Sequence, residues 1–552
     1  MSPESTFHRP TMLDRLERES FDLLVVGAGI TGAGVALDAA TRGLKVALVE
    51  RDDFASGTSS KSSKMVHGGL RYLQQGDVKL VRQALHERQR LFDNAPHLVT
   101  VLPFMIPILT KDGVVSRKVA RALGSAMWMY DLTGGWRIGR LHRRLRTRTA
   151  FAHLPTMHEQ RLASAYLYFD AGADDARLVL TLCRTAAQHG AVVSNGCGVV
   201  AFTHDTAGRA DGAIVEADGR RITVRAAAVV NAAGVWSDDV RALDEGTHPD
   251  NIRPAKGVHV TVPWDKVRCD IAVVIPVPKD RRSLFLVPWG PLPDGTFQHA
   301  YIGTTDTDHT GSLDDPQCTK DDIDYVLRAV NASLTTNITE ADITGVWAGL
   351  RPLVKAADDG RTADLSRNHA LHTSANGMVT ITGGKLTTYR EMAEDTVDAV
   401  MQQLGRSAPC RTRKLRLLGA GRRQRADGSR AAHLYGRYGT LSADIDALIA
   451  NDAALGQPLA PGHPHLRAEV VYAARHEMAR TVDDVLTRRT RLRLFDRAAA
   501  EVAAPDVAAL MAPELGWSAA ERDRQVQMFL AACAAEVAAG STSEPNPAGA
   551  AS

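Results

Sequence analysis

The chain has little that would brace a fold covalently or carry it through a membrane. Its six cysteines (Cys183, Cys197, Cys269, Cys318, Cys410 and Cys533) are scattered over 552 residues, with no C-x-x-C pair. That pattern suits free thiols in a reducing cytosol, not a disulfide framework or a zinc site. No uninterrupted apolar run is long enough for a membrane-spanning helix. The leader Met1 to Ser20 is polar and charged, without the apolar core of a signal peptide. These absences place the protein in the cytoplasm or on a membrane from the cytoplasmic side. A net charge of +3 is small for this length and gives no case for nucleic acid as partner. His476-Glu477 begins like a zinc-protease helix, but Arg480 stands where the second histidine belongs. No other spacing of His, Cys or carboxylates predicts a metal, and there is no repeat of fixed period. What is present is 44% apolar and 23% charged residues, enough for two or three globular domains with ample core.

The most informative stretch is Phe21-Asp-Leu-Leu-Val-Val26, followed by Gly27-Ala-Gly29-Ile-Thr-Gly32 and a helical pattern ending near Gly43. A second apolar run, Val46-Ala-Leu-Val49, stops on Glu50. Strand, glycine turn, helix, strand and acid form the opening βαβ unit of a dinucleotide-binding domain. Gly27 permits the tight turn, and Gly29 lets backbone N–H groups approach a pyrophosphate at the helix N-terminus. Gly32 lets the helix pack close to the strand. Glu50 stands about twenty residues downstream, where a ribose-binding carboxylate belongs. Two more apolar runs end in glycine, Ala226-Ala-Ala-Val-Val-Asn-Ala-Ala-Gly234 and Met378-Val-Thr-Ile-Thr-Gly383-Gly384. Three such corners on one ligand favour a long, extended cofactor, FAD, over a nicotinamide. The helix N-terminus after Gly384 is then expected at the flavin's pyrimidine edge.

Elsewhere, Thr58 to Leu73 is small, polar and glycine-bearing, a poor core element that directly follows the nucleotide unit. Asp174-Asp175 opens a helix, and the acids read best as capping residues. Between roughly 250 and 345, apolar alternation broken by Gly and Pro predicts a separate antiparallel sheet. The helix after Gly384 carries Met392, Ala393, Thr396, Val397 and Val400 on one face. Beyond about 410 the chain turns Ala- and Arg-rich and helical, and 541–552 reads as a disordered tail.

The sequence resembles the FAD-dependent glycerol-3-phosphate dehydrogenases of the aerobic, respiratory type, over nearly its whole length. The resemblance rests on Ser62-Ser-Lys-Met-Val-His-Gly-Gly-Leu-Arg-Tyr-Leu73, Lys256-Gly-Val-His259, Ile302-Gly-Thr-Thr-Asp306, Gly349-Leu-Arg-Pro-Leu353 and Gly383-Gly-Lys-Leu-Thr-Thr-Tyr-Arg390. A C-terminal block, Arg475-His-Glu-Met-Ala-Arg480 with Asp483-Asp484 and Arg488-Arg489, also matches. No D-x-D-x-D-G calcium loop of the mitochondrial members is present, so the chain is similar to the bacterial form.

The resemblance implies an α/β and α+β architecture with three parts. These are a Rossmann-like FAD domain of the D-amino-acid-oxidase-like (glutathione-reductase-like) type, an antiparallel-sheet substrate domain and a C-terminal helical domain. The expected divisions are an N-terminal extension 1–20, an FAD domain from 21–110, 170–245 and 346–405, a cap from 111–169 and 246–345, and helices over 410–540. FAD contacts are expected from Gly27, Gly29, Gly32, Glu50, Thr58, Ser59, Ser63, Lys64, His67, Gly68, Ala233, Gly234, Gly384, Leu386 and Thr387.

The implied reaction takes sn-glycerol 3-phosphate to dihydroxyacetone phosphate, with electrons passing to a membrane quinone. A dianionic substrate needs cations, and Arg71, Arg351 and Lys385 sit in glycine- or proline-bearing stretches where an unmatched charge is costly. Each reads as a phosphate ligand or as an ion-pair partner, and Tyr72 as a hydroxyl donor or a packing residue. His259 is the candidate base for the substrate hydroxyl, against a structural histidine. Arg351 is placed at the developing alkoxide. Docking on the cytoplasmic membrane face falls to Arg117-Lys118-Val-Ala-Arg121, Trp128, Tyr130, Trp136 and the basic run 137–148, or less strongly to 488–493. A solvated basic loop is the other reading, and a homodimer stays open. The rival functions are an oxidase that reduces dioxygen to peroxide and a non-catalytic flavoprotein subunit.

Overall fold

A computed structural model describes residues 7–70, 77–109, 117–278, 280, 282–355, 369–422 and 428–543, the side chains of 117–123 excepted. Arg71, Tyr72, the Arg117 to Arg121 side chains and the tail from 544 lie outside this set.

The nucleotide unit is built on a six-stranded sheet in the order His369–Thr373, Val379–Gly383, Val229–Asn231, Leu23–Val26, Val46–Val49, Val192–Ser194. All neighbours are parallel except the first pair. The strands are short and apolar on both faces, the pattern of a buried parallel sheet. The three strands that end in glycine corners are adjacent, so their turns meet at one sheet edge. The helices Ile30–Thr41, Asp175–Gln188 and Tyr389–Gln403 pack together beside this sheet. A second sheet (Ser20–Phe21, Arg220–Ala226, Ala210–Ala217, Gly198–His204) also packs on it. The N-terminal extension belongs to this unit. Its helix Arg9–Arg18 buries Met12, Leu13 and Leu16, and Ser20–Phe21 is an edge strand.

The expected sheet over 250–345 has ten strands and recruits flanking segments. Val99–Leu109 pairs along its whole length with Leu162–Ala173, and Ile252–Pro263 with Gly345–Val354. The expected FAD-domain segments 21–110 and 346–405 therefore contain three strands of this other sheet, Met65–Val66 being the third. Local alternation could not reveal that, because strand partners are set by pairing across the chain. One contact in the sheet, Ala272–Pro276 with Val99–Leu109, is parallel. The C-terminal helices Arg467–His476, Arg497–Leu515 and Ala519–Gly540 share a separate apolar core around Val507, Met511 and Phe529.

Candidate functional site

The first glycine turn behaves as its residues dictate. Gly27 has φ +96°, and a Cβ there would meet Ala232 O at 2.9 Å. A Cβ at Gly32 would stand 1.9 Å from Gly27 O, so only glycine lets the helix approach its strand. Ser59 Oγ accepts from Ile30 N–H at 2.9 Å, at the helix terminus suited to an anion. Glu50 closes the second strand, its two oxygens accepting from Ala28 N–H (2.7 Å) and Asp52 N–H (3.0 Å). Burial pushes its carboxyl up to about 7.

From Glu50 a crevice of about 330 Å³ runs past Gly27, Gly29, Thr58 and Ser59 to Ala233, Gly234, Gly384, Lys385 and Leu386. Gly234, at φ +62°, leaves open space where a Cβ would stand. A carboxylate at one end, a helix N-terminus in the middle and side-chain-free corners beyond suit an extended dinucleotide. The residues present fit FAD.

Gly32, Ser63, Lys64, His67, Gly68 and Thr387, also expected to touch the cofactor, are not among the residues that line this crevice. Gly68 is buried, donating its N–H to Tyr130 and Asp170, and a Cβ there would meet Leu85 at 2.5 Å. Lys64 is enclosed, with its ammonium 3.3 Å from Asp175 and 4.6 Å from the Trp347 ring centre. Ser63 Oγ is turned to His259 Nε2 at 2.8 Å. Thr387 ties down the main chain of His67, accepting from its N–H at 3.1 Å.

The residues expected to meet the substrate are positioned by the register of two strands. Ala255, Gly257 and His259 stand opposite Arg351, Gly349 and Trp347, so Arg351 and His259 share one face, with two glycines between them. A Cβ at Gly257 would lie 2.5 Å from Arg351 Nη2, and one at Gly349 would lie 2.8 Å from Lys61 Cβ. The first glycine lets the guanidinium lie across the sheet, and the second lets the Thr58 to His67 segment press onto it. Tyr301 Oη and Trp347 Nε1 donate to Ser63 O and Ser62 O and hold that segment there. This accounts for a polar stretch with no core of its own. Arg351 donates to Asp306 Oδ1, Thr304 Oγ1 and Thr305 O, each at 3.1 Å.

His259 is buried against Trp347, with ring centres 4.7 Å apart and nearly parallel. Burial, with Lys64 and Arg351 nearby, holds its imidazole well below the usual range, so it is neutral. Its Nδ1 has no hydrogen-bond partner among the described residues. Lys385 lines the crevice at the start of the turn Leu386–Thr388, its ammonium shielded from solvent. Pro352, next to Arg351, lines the same crevice.

Sequence reasoning missed the ionic scaffold behind this site. Asp174 is the N-cap, as read, accepting from Arg177 N–H. Asp175 is instead a buried hub for Ser62, Lys64 and Arg491. Asp53 accepts from Arg488 Nε (2.6 Å) and from Arg489 (2.7 and 2.9 Å). Segment 488–493 is thus no membrane patch, because its arginines are committed to buried acids. The family-matching block 483–489 was the one signal for them, and it named no partners. Tyr130 is also corrected. It is buried, with its hydroxyl 2.6 Å from Asp170, which Arg88 neutralises.

Comparison with known proteins agrees with this geometry. Residues 22–390 match the family model described as FAD dependent oxidoreductase, and 410–522 match the C-terminal domain of alpha-glycerophosphate oxidase. The chain is 43% identical to glycerol-3-phosphate dehydrogenase 2 of Mycobacterium tuberculosis, over 95% of this chain and 90% of that protein. It is 36% identical to the mitochondrial glycerol-3-phosphate dehydrogenase SDP6 of Arabidopsis thaliana, over 95% and 88%. The solved glycerol-3-phosphate dehydrogenase of Bacillus halodurans, complexed with FAD, superposes with a TM-score of 0.79 at 29% identity, covering 98% of this chain and all of that one. With its crevice shaped for FAD and relatives of this kind along almost its full length, the chain belongs to the FAD-dependent glycerol-3-phosphate dehydrogenases.

Proposed function

We propose that the protein oxidises sn-glycerol 3-phosphate to dihydroxyacetone phosphate and delivers the electrons to a membrane quinone. The carrying observation is the strand register that sets Arg351 and His259 on one face, with Pro352, the neighbour of Arg351, lining the crevice together with Lys385. FAD, when bound, supplies the acceptor for hydride from carbon 2. Lys385, with Arg71 and Tyr72, binds the phosphate dianion, since cations in low dielectric are worth more to an anion than in water. Arg351, held flat across Gly257 by Asp306 and Thr304, stabilises negative charge on the substrate oxygen. His259 takes the hydroxyl proton. Its neutral form is the one that accepts, and a bound dianion supplies the counter-charge that raises its basicity.

The surface near residues 128–148 supports quinone delivery. Leu132 (76% exposed), Trp128, Met129, Trp136 and Leu141 are large exposed apolar groups. Arg137, Arg140, Arg143, Arg144, Arg146 and Arg148 are exposed in the same stretch, Arg137 lying over the Trp136 ring. Apolar anchors with arginines in the same stretch suit the headgroup region of an anionic bilayer. Among the described residues no helix is long and apolar enough to cross it.

The match of 410–522 to an oxidase C-terminal domain keeps dioxygen as the second acceptor to test. The test is anaerobic addition of glycerol 3-phosphate to the purified flavoprotein, followed by quinone or by air. Bleaching of the flavin band, then recovery with quinone and little peroxide, is expected. Stoichiometric peroxide would make it an oxidase, and an unbleached band would remove the substrate assignment.

A further inference from the structure

Away from the crevice, His299, His463 and Asp496 meet where the ten-stranded sheet abuts the C-terminal helices. His299 lies on the strand Phe297–Gly303, 7% exposed, and its Nδ1 has no hydrogen-bond partner among the described residues. A buried imidazole nitrogen left unmatched is unusual in a purely structural role. His463 stands on the tight loop Ala460-Pro-Gly-His-Pro-His465, closed by Leu459 N–H donating to His465 O at 2.8 Å. Gln298 pins this loop to the strand by donating to Gly462 O at 2.6 Å. The His463 ring lies parallel to that of His299, with centres 5.9 Å apart, and its Nε2 is 3.1 Å from Asp496 Oδ2. Asp496 caps the helix Arg497–Leu515 through Oδ1, which accepts from Ala499 N–H at 3.0 Å, leaving Oδ2 for the histidines.

We propose that His299, His463 and Asp496 bind one divalent cation of the zinc class, with water as fourth ligand, clasping the C-terminal helices to the sheet. One ligand atom from each residue lies within 4.8 Å of the other two. Zinc holds N and O ligands at about 2.0–2.1 Å, which places them about 3.3 Å apart, so small side-chain rotations close the set. Two imidazoles and a carboxylate form a borderline donor set suited to Zn²⁺ rather than Ca²⁺ or Mg²⁺. The clasp adjoins the reactive face. Phe495, the residue before Asp496, stacks on Trp289 at 4.7 Å and packs against Trp347, the partner of His259. No sequence spacing foretold a metal, because the three ligands come from distant segments.

The test uses FAD-loaded protein without a histidine tag, stripped with chelator, exposed to Zn²⁺ and passed through gel filtration. One retained equivalent of zinc is expected, with a rise in the melting temperature. Co²⁺ in its place should give the visible bands of a tetrahedral site above the flavin spectrum. His463→Gln and Asp496→Asn should each lose the equivalent, the cobalt bands and the melting shift while keeping FAD. Asparagine also caps helices, so loss in Asp496→Asn is not a failure of the helix. No retained zinc in the wild type, or equal retention in both variants, overturns the site.

Discussion

Asp175→Asn tests whether the ionic scaffold, and not the cofactor loop itself, holds the reactive segment in place. The carboxylate is fully buried. Its Oδ2 accepts from Ser62 N–H at 3.0 Å and Ser62 Oγ at 2.6 Å, and its Oδ1 from Ala176 N–H at 2.9 Å and from Arg491. Asparagine fits the space but not the chemistry. With its oxygen kept toward Ser62, its NH₂ points donors at Arg491 and Lys64; flipped, it abandons Ser62. Removing one partner of a buried ion pair costs about 3–5 kcal/mol. The lower end is expected, because Lys64, already lowered to about 8 by burial and by Arg491, can shed its proton once Asp175 is neutral. Arg491 cannot. The same lysine fixes a pH signature in the wild type. Its folded value lies below the ordinary 10.5, so it is charged in both states below about 8, and its unfavourable contribution is relieved as pH rises toward 10.5. The assay is denaturant unfolding of the FAD-bound protein, with turnover measured in parallel, since displaced Ser62 carries Ser63 away from His259. Asp174→Asn, which keeps a competent cap, is the control and should lose less. A midpoint for Asp175→Asn within about 1 kcal/mol of wild type would refute the reasoning.

Lys385→Ala should raise KM for glycerol 3-phosphate about 10- to 100-fold with FAD retained, the loss of one charge-assisted hydrogen bond; steady-state kinetics with an unaltered KM would remove it from the phosphate site. His259→Ala should lower kcat about 100-fold or more at unchanged flavin content; wild-type turnover would retire it as the base. Glu50→Gln should release FAD on dilution, read by flavin fluorescence. Because burial holds Glu50 near 7, above the ordinary 4.5, the FAD-free native state keeps this proton longer than the unfolded chain and loses stability as pH rises across that window. Melting curves across that window should flatten in Glu50→Gln, and an equal slope in the variant would assign the dependence elsewhere.

The parts legible in the sequence were those whose cause is local. Gly27, Gly29, Gly32 and Glu50 lie within one βαβ unit, and each has a steric or electrostatic reason to be what it is at that spacing. The antiparallel sheet was legible from alternation, but its membership was not, since Val99–Leu109 finds its partner only across the chain. Arg351 and His259 could be named individually. That Gly257 and Gly349 make room between them for the Arg351 guanidinium and for the segment carrying Lys61 follows only from the pairing register. Tyr130 misled because an aromatic residue amid basic ones looks alike on a membrane face and in a core. Its hydrogen bond to Asp170 decides the matter.

The ionic contacts also give the C-terminal helices a reason to exist. Arg488 and Arg489 hold Asp53, and Arg491 donates to Ser60 O at 2.6 Å and to Asp175. Those anchors bracket Thr58–Ser60, the turn whose residues line the crevice and cap the first helix through Ser59. A small, polar segment has too little apolar surface to hold itself against a sheet. Guanidinium groups reaching in from another domain supply directional bonds instead, and their burial makes them strong and geometrically demanding. The same segment carries Ser63 to His259, so the helical domain positions that segment while, among the described residues, none of its side chains lines the crevice.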